Sequence, residues 1–136
     1  MILLIKKYDL IIVGAGPSGL FTAYELITKN KDLKVTILDE GRVVKTRVCP
    51  MNKKGIPCQN CNPCAIMAGY GGAGTFSDGK LTTGISSPYI KKVLSYFHKF
   101  GAPKEILYLN KPHIGTDNLI NIYNNPKEKE FRFESK

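Results

Sequence analysis

Three glycines near the N-terminus have a spacing that suits binding of a dinucleotide pyrophosphate. They lie in the segment Asp9-Leu-Ile-Ile-Val-Gly14-Ala-Gly16-Pro-Ser-Gly19-Leu. In a GxGxxG pattern the first glycine permits a sharp turn, the second admits the phosphates close to the backbone, and the third lets a helix pack on a strand. The N-terminus of that helix attracts anions through unpaired N–H groups. We therefore predict dinucleotide contacts at Gly14, Ala15, Gly16, Pro17, Ser18 and Gly19.

Four cysteines form the second group of residues capable of chemistry. Cys49, Cys58, Cys61 and Cys64 all fall between positions 49 and 64. The CxxCxxC spacing suits an iron–sulfur cluster or, with Cys49 as a fourth ligand, a zinc ion. CxxC spacing is also typical of redox-active thiols, and reduced cysteines that only pack a loop are the third alternative. The sequence leaves all three alternatives open.

A second glycine-rich stretch, which we call the glycine box, occupies residues 71–81. It reads Gly71-Gly-Ala-Gly-Thr-Phe-Ser-Asp-Gly-Lys-Leu81, and it fails the P-loop pattern because leucine follows Gly-Lys. Its first half has almost no side chains, so backbone N–H groups can face a flavin edge or a phosphate. The alternative is a flexible loop with turn glycines. The candidate cofactor contacts in the box are Gly72, Gly74, Thr75, Ser77, Asp78 and Lys80.

The elements around the first glycine motif predict a β-α-β unit. The apolar run 10–13 indicates a strand covered on both faces, and Leu20, Ala23, Tyr24 and Ile27 recur at helical spacing. A second strand is predicted at 34–38. It is followed by Asp39 and Glu40, about 20 residues past the last glycine, where an acid accepts the ribose hydroxyls. Asp39 fits that role, and Glu40 is the alternative.

The remaining sequence predicts one α/β domain over residues 1–136 with a long insertion. Regular periodicity disappears from 42 to 87, where Cys, Gly, Pro and Asn dominate. A helix begins at Pro88 behind Ser87 as cap and ends at Gly101, and a short strand is predicted at 106–109. A further helix is capped by Thr116, and the tail, 130–135, alternates like a half-exposed strand. The predicted fold is Rossmann-like, with a parallel sheet and a Cys/Gly-rich segment on the cofactor side.

The composition and charge of the chain limit the kinds of partner that it is expected to bind. The chain has 136 residues, is 43% hydrophobic and has a formal net charge of +9. Its lysines are spread along the chain and form no basic stripe, so we expect anionic cofactors or acidic partners and no nucleic acid. Neither a signal peptide nor an apolar run of membrane-spanning length is visible, which predicts a cytoplasmic protein without a membrane partner.

Three strings together resemble a known family. The opening GAGPSGL, the glycine box and Lys111-Pro-His-Ile-Gly-Thr-Asp117 are similar to sequences of largely uncharacterised FAD-dependent dehydrogenases, in the glutathione-reductase-like FAD/NAD(P)-binding superfamily. The resemblance implies a non-covalent FAD with Gly14, Gly16 and Gly19 at its pyrophosphate. It also implies Asp39 in place of the usual ribose-binding glutamate, and the glycine box near the flavin. Members of that family are several times longer, so we expect an incomplete, N-terminal part of such a protein.

These observations lead to a functional prediction. We expect an FAD-dependent oxidoreductase domain that transfers electrons or hydride to or from an unidentified small-molecule substrate or electron carrier, with NAD(P)H as a candidate electron donor. Two alternatives are an NAD(H)-binding Rossmann domain and a non-catalytic module built on the cysteines, which would bind a metal or sense redox state. His113 is a candidate general base, with a structural hydrogen-bonding role as its alternative.

Overall fold

The computed structural model describes residues 7–123 and the backbone of 132–135. It contains three strands, β1 (Leu10–Val13), β2 (Val35–Asp39) and β3 (Arg132–Ser135), and four helices, α1 (Pro17–Lys29), α2 (Pro50–Lys54), α3 (Tyr89–Lys99) and α4 (Thr116–Tyr123). Single 3₁₀ turns occupy Val44–Thr46, Ala73–Phe76 and Lys104–Leu107. None of the helices in this described part combines the length and the apolar character needed to cross a membrane.

The three strands form a parallel sheet in the order β1-β2-β3. Leu10 pairs with Val35 and Val13 with Leu38, so α1 is the crossover between two parallel neighbours. Thr36 pairs with Arg132 on the other side of β2. The predicted α/β class with a parallel sheet is therefore confirmed as part of a Rossmann-like arrangement. Of the predicted tail strand, 132–135 is confirmed, while 130 and 131 lie outside the described residues.

Helix α1 supports the first of two hydrophobic clusters. Proline at its first position and lysine at its last suit the two ends of a helix, and Asn30 follows it in an extended conformation. The helix buries Leu20 and Ala23 against the sheet residues Val35 and Ile37. Because these side chains recur on one helical face, packing fixes α1 across β1 and β2, and its N-terminus lies next to the glycine turn.

A second hydrophobic cluster joins the C-terminal half of the described chain. Its buried members are Phe97, Ala102, Ile106, Ile114, Leu119 and Ile122. The predicted strand at 106–109 is wrong: residues 104–107 form a 3₁₀ turn in which Ile106, 1% exposed, is the buried anchor. Its N–H donates to the carbonyl of Pro103, so the local turn satisfies the backbone that a strand would have paired.

The predicted burial of β1 on both faces is also wrong. Ile11 is 57% exposed and Val13 is 84% exposed. Among the described strands β1 lies at the edge of the sheet, and α1 covers only one of its faces. An apolar run alone does not distinguish a central strand from an edge strand, because that distinction depends on distant segments.

The ends of the remaining helices shift slightly from prediction. Helix α3 begins at Tyr89, one residue later than predicted, and the Tyr89 N–H donates to Ser87 Oγ at 3.3 Å. It is followed by Gly101 with φ +112°, in agreement with the predicted stop. Thr116 is the first residue of α4, and its hydroxyl donates to the carbonyl of Ser77 instead of capping the helix.

The Cys-rich part of the predicted insertion, residues 42–70, forms a closed loop that we call the Cys-rich excursion. The Tyr70 N–H donates to the Arg42 carbonyl at 3.1 Å, so the chain returns to the place where it left the end of β2. Gly41 and Gly69 permit this close contact, because a Cβ at Gly41 would lie 2.3 Å from the Ala68 carbonyl carbon. The segment returns beside Asp39, since Met67 and Ala68 line the same cavity as that carboxylate.

Helices α1 and α3 are joined by a charged contact around Glu25. Lys92 Nζ lies 2.6 Å from Glu25 Oε1, and the Tyr96 hydroxyl donates to the same carboxylate. The hydrogen bond from Lys92, followed by that from Tyr96, lowers the pKa of Glu25 from its ordinary 4.5 to about 2. The carboxylate is therefore held in its charged form by the folded state.

This contact predicts a specific dependence of stability on acid. A pKa lowered by folding contributes stability that is present above pH 4.5 and is lost as the pH falls toward 2. Glu25→Gln should therefore be less stable than the parent at pH 7, and the difference should shrink as the pH falls through that window. Urea unfolding at several pH values measures it, with exposed Glu105→Gln as the control. A difference that stays constant with pH would contradict this assignment.

Candidate functional site

The glycine turn between β1 and α1 has the geometry of a phosphate cradle. Gly14 has φ +102°, a conformation that favours glycine, and its N–H donates to the Leu38 carbonyl at 2.7 Å. A Cβ added at Gly14 or at Gly16 would meet no atom within 4 Å. The two glycines therefore leave room directly beside the backbone, which is the space that a pyrophosphate needs.

The third glycine serves packing. A Cβ at Gly19 would lie 2.0 Å from the carbonyl oxygen of Gly14 and 3.4 Å from Cγ2 of Ile12. Only glycine therefore lets α1 approach the turn at this distance. A Cβ at Gly16, by contrast, would meet open space, and its contact with the phosphates stays a prediction.

This difference predicts effects of different size on stability for two alanine variants. Gly19→Ala should lower the free energy of unfolding by about 2–3 kcal/mol, because overpacking a tight contact costs that much. Gly16→Ala should stay within about 1 kcal/mol of the parent, the usual cost of alanine at a helix N-cap. Urea denaturation compares them, and a Gly19→Ala protein as stable as Gly16→Ala would contradict the close approach of α1.

The N-terminus of α1 suits an anion. Gly16 is its N-cap and makes no side-chain capping hydrogen bond, and the first turn contains no acidic residue. A helix of 13 residues presents its first N–H groups and a partial positive charge at this end. The residues present therefore fit a dinucleotide pyrophosphate, held by main-chain donors.

Asp39 lies at the end of β2 beside the glycine turn. Its Oδ2 accepts the Ala15 N–H at 2.7 Å and its Oδ1 accepts the Gly41 N–H at 2.8 Å. Each carboxylate oxygen keeps a further lone pair, so these bonds orient the group without exhausting it. Asp39 and Glu40 line an open cavity of about 440 Å³ together with Gly14. The predicted ribose acceptor therefore lies where the cavity meets the turn.

The glycine box packs directly on the glycine turn. The Gly71 N–H donates to the Ala15 carbonyl at 2.9 Å. Gly72 has φ +63°, and a Cβ there would lie 3.2 Å from both Gly16 Cα and Pro17 Cδ. Two glycine-rich segments that are far apart along the chain thus form one continuous backbone surface.

Arg47 holds this surface together, and the sequence reasoning missed it. Its side chain is buried, with the residue only 5% exposed. The guanidinium donates to the carbonyls of Ala65, Ile66, Tyr70 and Gly72 and to the hydroxyl of Thr75, and it stacks on Phe76 at 4.6 Å. Burial lowers the pKa of Arg47, and the charge of Asp39 opposes that shift. Arg47 therefore connects the Cys-rich excursion to the glycine box.

The residues of the glycine box that were predicted to contact the cofactor divide into two groups. Thr75 is 1% exposed and its hydroxyl donates to the Gly72 carbonyl, so it stabilises the box from inside instead of facing a ligand. Ser77, Asp78 and Lys80 are exposed, and Lys80 Nζ lies 2.6 Å from Asp78 Oδ2. Gly72 packs against Gly16 of the glycine turn and Gly74 has open space beside its backbone, so these two stay the stronger candidates.

The second half of the box pairs with the Lys-Pro-His string. The Leu81 N–H donates to Pro112 and the Ile114 N–H to Gly79, each at 2.9 Å, which makes an antiparallel bridge between Lys80 and His113. Two of the three segments that carry the family resemblance are therefore neighbours in space. His113 is exposed beside Lys80, a cation, and this placement gives no support to its predicted role as a general base.

The four cysteines do not form a ligand set within the described residues. No group of three or more His, Cys, Asp or Glu side chains there is placed to hold a metal ion. Cys58 and Cys61 are exposed, while Cys49 and Cys64 are half-buried. The predicted metal site at Cys49, Cys58, Cys61 and Cys64 is thus not assembled in the part of the chain that the structure describes. Hydrogen bonds from the Met67 and Ile66 N–H groups lower the pKa of Cys64.

The chain is similar in sequence to several known proteins. The sequence pattern of the Thi4 family matches residues 1–45, which include the glycine turn and Asp39. An uncharacterised protein of Clostridium beijerinckii is 37% identical over 118 residues, 87% of this chain and 22% of that protein. A thiamine thiazole synthase of Coprinopsis cinerea is 54% identical over 33 residues, 24% of this chain and 10% of that protein. The chain therefore spans about a fifth or less of these relatives' length.

Proposed function

We propose that this chain is the dinucleotide-binding part of an FAD-dependent enzyme. The observation that carries the proposal is the glycine turn, with space beside Gly14 and Gly16, an uncapped α1 N-terminus and Asp39 at the end of β2. The Thi4 match over residues 1–45 and the similarity to a thiamine thiazole synthase support a flavin-binding relative and enzyme status. When bound, FAD would supply electron or hydride transfer.

The chain's own residues have distinct roles in this proposal. Main-chain N–H groups at Gly16 and in the first turn of α1 bind the pyrophosphate, and Asp39 accepts the adenosine ribose hydroxyls with Glu40 beside it. The first half of the glycine box extends the same backbone surface beyond the turn. Gly72 and Gly74 would therefore lie beside the part of the cofactor that extends past the pyrophosphate. Arg47 positions the box through its hydrogen bonds to Gly72 and Thr75, without touching the cofactor.

We also propose which type of reaction the enzyme catalyses. The dehydrogenase resemblance is most specific in the glycine box and in the Lys-Pro-His string, which the bridge between Lys80 and His113 pairs. Both strings lie outside the 45 residues that the Thi4 pattern matches. We therefore favour an oxidoreductase over a thiazole synthase. NAD(P)H is a candidate electron donor for it, and its substrate would be a small molecule or an electron carrier.

Two alternatives have less support. An NAD(H) domain would use the same turn and ribose acid, but the contact of Gly71 with Ala15 favours a cofactor that continues along the glycine box. A metal or iron–sulfur module would need clustered thiols, and the described residues hold no such cluster. A redox-sensing thiol remains compatible with the accessible cysteines.

A binding experiment separates these candidates. The purified chain should quench flavin fluorescence on titration with FAD, reach one FAD per chain, and be competed by ADP, which shares the adenosine and pyrophosphate. NADH should compete at least about tenfold more weakly, a difference of about 1.4 kcal/mol. Tighter binding of NADH than of FAD would favour the NAD(H) domain. Absence of binding to both, together with stoichiometric zinc or iron, would support the cysteine module.

A further inference from the structure

We propose that Met67 of the Cys-rich excursion contacts the adenine ring of the bound dinucleotide and makes the site selective for adenine nucleotides. This inference rests on the proposed function, because it places the adenosine half of the cofactor in the cavity beside Asp39. It goes further by assigning the contact with the base to a residue outside the β1-α1-β2 unit.

The cavity beside Asp39 offers both carboxylates and apolar side chains. Its carboxylates come from Asp39 and Glu40. Its large apolar side chains, which we call the apolar patch, come from Val13, Leu38 and Met67. The volume of about 440 Å³ lies within the range of small-molecule pockets, about 300–1,000 Å³. Since a ribose needs acceptors for its hydroxyls and a base needs apolar contact at its ring faces, this combination suits an adenosine.

The exposure of the apolar patch indicates a binding surface. Val13 is 84% exposed, Met67 66% and Leu38 37%. Single exposed apolar side chains need no explanation, but an exposed group of them around one cavity is typical of an interaction site. Asp39 follows Leu38 directly in β2, so the patch is continuous with the proposed ribose acceptor. This continuity favours the base attached to that ribose as the group that covers the patch.

Backbone contacts on both sides of Met67 fix its place at the cavity. A Cβ at Gly41 would lie 2.3 Å from the carbonyl carbon of Ala68, so the residue after Met67 lies directly against the end of β2. On the other side, the Arg47 guanidinium donates to the carbonyl of Ile66. Met67 is therefore held between two anchored neighbours before any ligand binds, which lowers the entropic cost of the contact.

Methionine suits a contact with an aromatic base. Its side chain is unbranched and adaptable, and its polarizable sulfur makes favourable contacts with aromatic rings. Adenine has two fused rings and therefore covers more apolar surface than a pyrimidine base does. The expected consequence is a preference for ADP over CDP, which carries the same ribose and diphosphate.

The first measurement observes the methionine methyl groups by NMR. The purified chain, labelled with ¹³C at its methionine methyls, is titrated with ADP, and Met67→Leu identifies the Met67 signal by its disappearance. The ring current of a bound adenine should shift the Met67 methyl signal, whereas inorganic pyrophosphate, which has no ring, should leave it unchanged. Met51 is the internal control, because it is 38% exposed in the same excursion but does not line the cavity.

The second measurement compares affinities by calorimetric titration. Met67→Ala should bind ADP about five- to tenfold more weakly than the parent, while its affinity for CDP changes by no more than about twofold. Met67→Leu should recover most of the ADP affinity, and Met51→Ala should bind ADP as the parent does. Because Met67 is largely exposed, alanine there should leave the fold intact.

The inference requires both results. If ADP binds but the Met67 methyl signal does not move, or if Met67→Ala binds ADP as tightly as the parent, the inference is overturned and the proposed function stands. The apolar patch would then have another occupant, such as a polypeptide segment. If neither ADP nor FAD binds to the chain, both the inference and the proposed function are overturned.

Discussion

Replacing Arg47 with methionine should destabilise the protein more than either Glu25→Gln or Gly19→Ala. The guanidinium is the shared donor for four buried or half-buried carbonyls and one buried hydroxyl. Methionine fills much of the same volume but donates nothing, and each buried acceptor left without a donor costs about 1–3 kcal/mol. We expect the free energy of unfolding to fall by about 3–5 kcal/mol in urea denaturation.

The region in which amide hydrogen exchange rises distinguishes the loss of these hydrogen bonds from a general loss of stability. Amide hydrogen exchange should rise first in residues 65–76, which Arg47 holds, while α1 and β2 stay protected. Arg47→Lys should recover little, because an ammonium cannot form the same fork of hydrogen bonds. Arg42→Met, at an exposed arginine five residues earlier, is the matched control and should stay within about 0.5 kcal/mol of the parent. Equal effects at both positions would refute the role of Arg47.

Replacing Gly16 with valine should abolish FAD binding while the fold survives. No atom lies within 4 Å of a Cβ at this position, so valine projects into the space that we assign to the pyrophosphate. Displacing the phosphates breaks at least two hydrogen bonds to an anion, each worth about 1.5–3 kcal/mol, so affinity should fall by at least about 100-fold. Stability should fall by only about 1 kcal/mol, the usual cost of a poor N-cap.

Gly84→Val is the matched control for this variant. A Cβ at Gly84 also meets no atom within 4 Å, and Gly84 lies outside the glycine turn and the glycine box. Valine there should leave FAD affinity within about twofold of the parent, as expected of a substitution that touches nothing. Flavin fluorescence titration measures both variants. Normal FAD binding by Gly16→Val would show that the pyrophosphate lies elsewhere.

The sequence predicted the β1-α1-β2 unit well because the relevant forces act locally. Helical spacing in 20–27, proline at the helix start and glycines at the turn each act over a few residues. Asp39 is the candidate ribose acid because of its distance along the chain from Gly19. Its bond to the Ala15 N–H was not predictable in this way, since that contact joins residues 24 positions apart.

Features that depend on distant segments were not predictable from local patterns. Arg47 looks like any surface arginine in the sequence, because charged residues are rarely buried and its acceptors are 18–28 positions away. The exposure of Ile11 and Val13 depends on which segments cover β1. Ile106 likewise fits a strand by composition, and its 3₁₀ turn follows from packing against the second cluster.

Backbone-amide NMR during titration with ADP locates the pyrophosphate residue by residue. If main-chain donors at the start of α1 bind it, ADP should shift the amide signals of Gly14, Gly16, Ser18 and Gly19 most strongly. A second set of shifts should appear at Asp39 and Glu40, and the amides of α3 should stay unchanged. Saturable binding whose largest shifts fall outside residues 14–19, or no shifts at millimolar ADP, would show that the glycine turn is not the pyrophosphate site.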